Sequence, residues 1–177
     1  MTHNNYKLTK NNETLKWELK YPSKLSDLNK NVENYYEKTN VDEIIYLILN
    51  LFHSKKSCKT IEDLIDQFEL KSYARINSIR KSYLIDESIR IDLDETDFNY
   101  KIGEIELILG EEEKNIEESI DKISNLTLRL GITNFDRIPG KISTYLYLFN
   151  PKLFQLLREN SIINEKVVLN LNYLFKK

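Results

Sequence analysis

The chain has 177 residues, 41% apolar and 11% aromatic, which suffices for a folded core and excludes wholesale disorder. Its 26 Lys and Arg nearly cancel its 28 Asp and Glu, leaving a net charge of -2, so the basic excess of a nucleic-acid binder is missing. One cysteine, Cys58, excludes an internal disulfide framework and a multi-cysteine zinc site. The longest nearly unbroken apolar stretch, Ile44 to Phe52, is too short to span a bilayer. Met1-Thr-His-Asn-Asn has no apolar segment behind it and does not read as a secretory signal. These bounds predict a soluble, cytoplasmic protein with no membrane and no nucleic-acid partner.

In chain order, Tyr6 to Lys10 and the stretch around Trp17-Glu18-Leu19-Lys20 alternate in polarity and are expected as strands, with Asn11-Asn12 as the turn. Ile44, Ile45, Ile48, Leu49 and Phe52 fall on one face of a helix over Val41 to His53. Thr60-Ile-Glu-Asp opens a second helix with a cap and early acids, running to about Phe68. Ser78 to Ile85 and Ser88 to Asp94 read as strands joined by a tight turn at Asp86-Glu87. The alternation resumes over Ile102 to Leu109, giving a hairpin with one apolar and one charged face. From Asn115 to Leu130 the period is helical, with Gly131 as the stop. Lys141 to Phe149, Pro151 to Asn160 and Asn164 to Phe175 complete a helical last third. Antiparallel strands with interspersed helices make the fold α+β.

The hairpin carries the chemistry. Asp92 and Asp94 are two apart and share one face of a strand, as do Glu104 and Glu106 on the next. A turn centred near Phe98 sets Asp92 opposite Glu104 or Glu106, and like charges so placed destabilise a sheet by up to ~1 kcal/mol per pair. Four carboxylates on one face therefore need a counter-charge. The plain reading is a solvated sheet face. The other is oxygen-only ligation of Mg²⁺ or Mn²⁺. Cations alternate onto strand faces as well, at Arg80, Arg90 and at Lys20 beside Glu18, which suits a metal–phosphate site.

The run Arg90-Ile-Asp-Leu-Asp-Glu-Thr-Asp-Phe-Asn-Tyr-Lys-Ile-Gly-Glu-Ile-Glu resembles the signature hairpin of the thiamine triphosphatases, members of the CYTH, or triphosphate tunnel metalloenzyme, superfamily. Trp17-Glu-Leu-Lys-Tyr-Pro resembles another of their strands. Lys141, followed by Tyr145-Leu146 and Phe149-Asn-Pro, resembles their C-terminal lysine helix. These runs follow one another in family order over roughly residues 6 to 160. The resemblance implies an antiparallel eight-stranded β-barrel, the triphosphate tunnel, with flanking helices. Residues 1–160 would form that domain and residues 161–177 a helix packed on it. It implies hydrolysis of thiamine triphosphate to thiamine diphosphate and phosphate by water, with Mg²⁺ or Mn²⁺ as cofactor and no protein nucleophile. Asp92, Glu104 and Glu106 match metal-binding acids, with Asp94 beside them at the substrate. Lys20, Arg80 and Lys141 match phosphate-binding cations, with Arg75 the rival of Arg80, and Glu37 aligns loosely with an acid on an intervening strand.

The chain also departs from the family pattern. The opening Glu-x-Glu-x-Lys strand has no counterpart, and Lys7-Leu-Thr-Lys10 stands where the family has arginines two apart. Tyr6 is the candidate for a thiamine-contacting aromatic, and Ile142 stands where the thiamine enzyme uses methionine. The tunnel is thus expected to be N-terminally incomplete, with weak metal binding, poor turnover and self-association through an open sheet edge, the complete protein being a monomer. Inorganic tripolyphosphatase on the same fold, or an impaired triphosphate-binding remnant, are the alternatives. His3, His53, Cys58 and the apolar positions Ile163, Val167, Leu171, Leu174 and Phe175 read as terminus, helix end, inert thiol and packing.

Overall fold

The computed structural model describes residues 7–11, 16–22, 35–109, 116–132, 138–163 and 165–175, and the chain divides into two compact units, Met1–Tyr73 and Ala74–Lys177. Both mix helices with antiparallel sheet, so the fold is α+β.

In the first unit, β1 (Lys7–Asn11), β2 (Lys16–Pro22) and β3 (Tyr35–Lys38) form an antiparallel sheet in that order. Trp17, Leu19 and Tyr21 alternate onto one face of β2, and Leu19 is fully buried. They pack on α1 (Val41–Leu51) and α2 (Ile61–Gln67) through Ile44, Ile45, Ile48, Ile61 and Leu64. Both helices begin where a side chain satisfies their free amides. The Asn40 side-chain Oδ1 accepts from Glu43 N at 3.1 Å, and Thr60 with Asp63 forms a reciprocal capping box. The two amides that Asp63 accepts, from Lys59 and Thr60, hold its carboxyl below the usual range. Tyr6 and Asn12, expected in the first strand and its turn, lie outside the described residues.

In the second unit, β4 (Ser78–Leu84), β5 (Ile89–Thr96) and β6 (Lys101–Leu107) form an antiparallel meander. The Asp86 carboxylate accepts from Ser88 N at 2.8 Å and from Ile89 N at 2.7 Å, closing the first turn. The second turn is closed by Thr96 and Tyr100, with Asn99 at φ 59°, a conformation that asparagine tolerates. Then come α3 (Ile116–Arg129), stopped at Gly131 with φ 74°, α4 (Lys141–Phe149), α5 (Pro151–Glu159) and α6 (Glu165–Leu174). Asn150 ends α4 and caps α5, accepting from Leu153 N at 3.3 Å, with Pro151 at the first helical position. Leu146, Phe154, Val168 and Leu171 form the buried core of these last helices.

The eight-stranded tunnel is not closed among the described strands. A barrel needs one ladder running all the way round, and the six described strands form two separate three-stranded ladders. No described helix is long and apolar enough to cross a membrane.

Candidate functional site

Register places the acids. Asp92 pairs with Glu104 and Arg90 with Glu106 across β5–β6, while Arg80 pairs with Asp94 across β4–β5. All six side chains share one face of the sheet, because each strand alternates with period two. That face is only partly solvated, its arginines and glutamates keeping about a third of their side-chain surface exposed. Asp92 and Asp94 are 0% and 2% exposed, while Leu93 between them is 47% exposed. Of the two readings of this face, the solvated one fails at Asp92 and Asp94, and ion pairing supplies the reason.

The Arg80 guanidinium spans three carboxylates. Its Nε and Nη2 donate to the two oxygens of Asp94, each at 2.7 Å, in a bidentate fork. Its Nη1 donates to Asp92 Oδ2 at 2.6 Å and its Nη2 also to Glu104 Oε2 at 2.8 Å. Arg90 bonds Glu106 through Nη2, with its Nε 3.2 Å from Asp92 Oδ2 but outside hydrogen-bond geometry. Lys141, the first residue of α4, adds its ammonium to Asp94 Oδ2. The Asp92–Glu104 repulsion is therefore offset by one arginine bonded to both.

The electrostatics follow these contacts. The Arg80 hydrogen bonds, working against burial and aided by Lys141, lower the Asp94 carboxyl to about 2. The same bond to Asp94, again against burial, raises Arg80 above its ordinary value. Burial works against the charge on Arg90, but the bond and charge of Glu106 outweigh it and hold Arg90 above its ordinary value.

Asp92, Glu104 and Glu106 each offer one oxygen, all within 4.8 Å of one another. Asp92 Oδ1 is buried with no hydrogen-bond partner, since both arginines approach Oδ2. A buried carboxylate oxygen without a partner is costly. Hard oxygen donors with one orphaned atom fit a divalent Mg²⁺-like cation, so the residues present suit the ion.

Of the sequence-derived candidates, Arg80, Asp92, Asp94, Glu104, Glu106 and Lys141 are brought together. Arg75 lies exposed ahead of β4 and takes no part in these ion pairs. Lys20 is on β2 in the first unit, opposite Glu37 and 2.7 Å from it. Arg90 was noted on this face by its spacing but not counted in the site, although a residue two before Asp92 must share its side. Tyr100 was not singled out, and its contact lies 39 residues away, beyond any local signal. Its hydroxyl donates to the Pro139 carbonyl at 2.5 Å, just ahead of Lys141.

No protein-family model matches the chain. A 78-residue stretch is 35% identical to the thiamine-triphosphatase of Homo sapiens, covering 44% of this chain and 34% of that protein. A 152-residue stretch is 27% identical to the thiamine-triphosphatase of Macaca fascicularis, covering 81% of this chain and 65% of that protein. The chain is thiamine-triphosphatase-like. It spans about a third of the length of the first relative and just under two thirds of the second. The likeness of this thiamine-triphosphatase-like chain agrees with the resemblance of its β5–β6 hairpin.

Proposed function

We propose that this face binds a triphosphate arm together with Mg²⁺, Mn²⁺ being the substitute, and that the chain hydrolyses thiamine triphosphate to thiamine diphosphate and phosphate. The observation that carries this reading is the mixed-charge cluster around buried Asp92 and Asp94, with one Asp92 oxygen left over. Four carboxylates meet three cations, so the cluster alone is net negative and suits a divalent cation. With that cation added it becomes net positive and suits a polyphosphate.

Asp92, Glu104 and Glu106 would hold the ion, which supplies polarisation of the phosphate oxygens. Arg80 and Lys141 already converge on Asp94, and their remaining N–H groups can turn to an incoming phosphate. There they neutralise charge that builds up as the terminal phosphoryl group leaves. Arg80 presents a planar fork to two oxygens, and Lys141 a movable point charge. Water is the attacking group, so no side chain need form a covalent bond. The reading carries with it the tunnel fold of the superfamily over residues 1–160, the helix of residues 161–177 upon it, and Lys20 as a further phosphate ligand. It also carries the cytoplasmic setting of such a substrate.

The test pairs turnover with binding. Phosphate release from thiamine triphosphate should require Mg²⁺ and exceed that from inorganic tripolyphosphate. Equal or faster release from tripolyphosphate would move the specificity to the inorganic compound. Mg²⁺ with tripolyphosphate should raise the melting temperature, because a ligand selective for the native state stabilises it. Glu104→Gln and Glu106→Gln should each abolish the rise. An unchanged rise in both variants would remove the metal assignment.

A further inference from the structure

Lys141 acts at the start of a helix that the sheet does not carry, so something must fix that start against β5. The observations lie at the β5–β6 turn. Tyr100, 8% exposed, donates its hydroxyl to the carbonyl oxygen of Pro139, itself fully buried. Pro139 is followed by Gly140, the N-cap of α4, and then by Lys141. Burial holds the Tyr100 phenol above its ordinary value.

Tyr100 is itself held from both sides. Its amide donates to the Thr96 hydroxyl at 3.0 Å, and the Thr96 hydroxyl lies 3.0 Å from the Tyr100 carbonyl. Phe98, in the same turn, lies parallel to Tyr100 and meets Tyr145 and Phe149 edge-on, each with ring centroids 5.9 Å apart. Lys141, Tyr145 and Phe149 are spaced four apart on α4, so one stripe of that helix faces the hairpin. The rings fix its azimuth, and the Tyr100 hydroxyl fixes where its first turn begins.

We propose that Tyr100 is a positioning residue for the triphosphate site: its bond to Pro139 sets the first turn of α4 so that the Lys141 ammonium reaches the Asp94 corner of the charged face. This rests on the triphosphate-binding reading above. Tyr100 touches neither phosphate nor metal and acts only through Lys141. Its contribution to binding must therefore vanish when Lys141 is gone.

Calorimetric binding of tripolyphosphate with Mg²⁺ would be compared in wild type, Tyr100→Phe, Lys141→Ala and the double variant. Tyr100→Phe keeps the ring contacts and loses only the hydroxyl, so affinity should fall roughly 2- to 10-fold, the scale of one hydrogen bond. The double variant should bind no more weakly than Lys141→Ala alone. A binding loss that disappears once Lys141 is gone is what a merely structural role would not give. Wild-type affinity in Tyr100→Phe, or losses that add fully in the double variant, would overturn the proposal while leaving the triphosphate reading intact. No binding by wild type would bring down both. Should Tyr100→Phe not fold, Thr96→Val loosens the same tyrosine by removing the hydroxyl that bonds its backbone. It should give a smaller loss that depends on Lys141, with Thr96→Ser restoring affinity, and a loss of equal size in the Lys141→Ala background would overturn the proposal.

Discussion

The two three-stranded sheets are built on the same antiparallel plan and bury opposite halves of an alternating pattern. In β2 the apolar half goes inside: Leu19 is fully buried on α1 and α2, while Lys20 next to it is half exposed beside Glu37. In β5 it is Asp92 and Asp94 that go inside, and the apolar Leu93 and, on β4, Ile79 stand 47% and 73% exposed. Alternation alone does not say which face is covered. Leu19 is buried because apolar surface leaves water, whereas Asp92 and Asp94 are buried because Arg80 meets both of them. One sheet is held by area and the other by pairing, so the two should fail differently.

The largest effect should come from Leu19→Ala, which leaves a cavity in a fully buried site and should cost ~2–5 kcal/mol in urea denaturation. Trp17, the single tryptophan, packs partly buried on this core and gives the fluorescence readout. A cost below that of an exposed substitution would break the contrast.

Arg80→Met should come next, at about 2–3 kcal/mol, because it strands carboxylates while the arginine's own partial exposure leaves some solvent screening. Adding Asp94→Asn should recover part of the loss, a rescue with no analogue at Leu19. The same pairing sets the acid response. Arg80 lowers the folded Asp94 pKa from the ordinary 3.8 to about 2. Ionised Asp94 thus stabilises the fold above the higher value, and that contribution drains as pH falls from near 4 to near 2. Asp94→Asn should lack this segment of the acid unfolding curve. An identical curve would show that Asp94 is not held by Arg80 in solution.

The smallest effect belongs to Lys20→Ala. Its pair with Glu37 has both side chains over 40% exposed, and such pairs contribute at most ~1 kcal/mol. A larger loss of stability would mean that Lys20 is held by more than Glu37.

The elements were legible where local chemistry repeats. The Thr60 cap, the stop at Gly131, the bounds of α4 and the opposition of Asp92 to one of Glu104 and Glu106, which the register settles as Glu104, all follow from spacing and turn residues. The sidedness of β5 was not legible, because strict alternation of charged and apolar residues is neutral between its two faces until the partner of each charge is known. Arg80 could be nominated but not its three carboxylates, since one arginine's reach depends on sheet twist and side-chain rotamer. The contact of Tyr100 with Pro139 depends on how α4 returns to the hairpin, and nothing near either residue signals it.

The site's parts also differ in how far apart they lie along the chain. Arg80 is 14 residues from Asp94 and Arg90 is 16 from Glu106, whereas Lys141 is 47 from Asp94. Closing the longer loop costs roughly 1 kcal/mol more in chain entropy. During folding, then, the arginines and acids can assemble within one local meander, and the lysine is expected to arrive late. A late contact leaves its mark on the rate of unfolding: Lys141→Ala should steepen escape from the native state while leaving the refolding rate nearly unchanged.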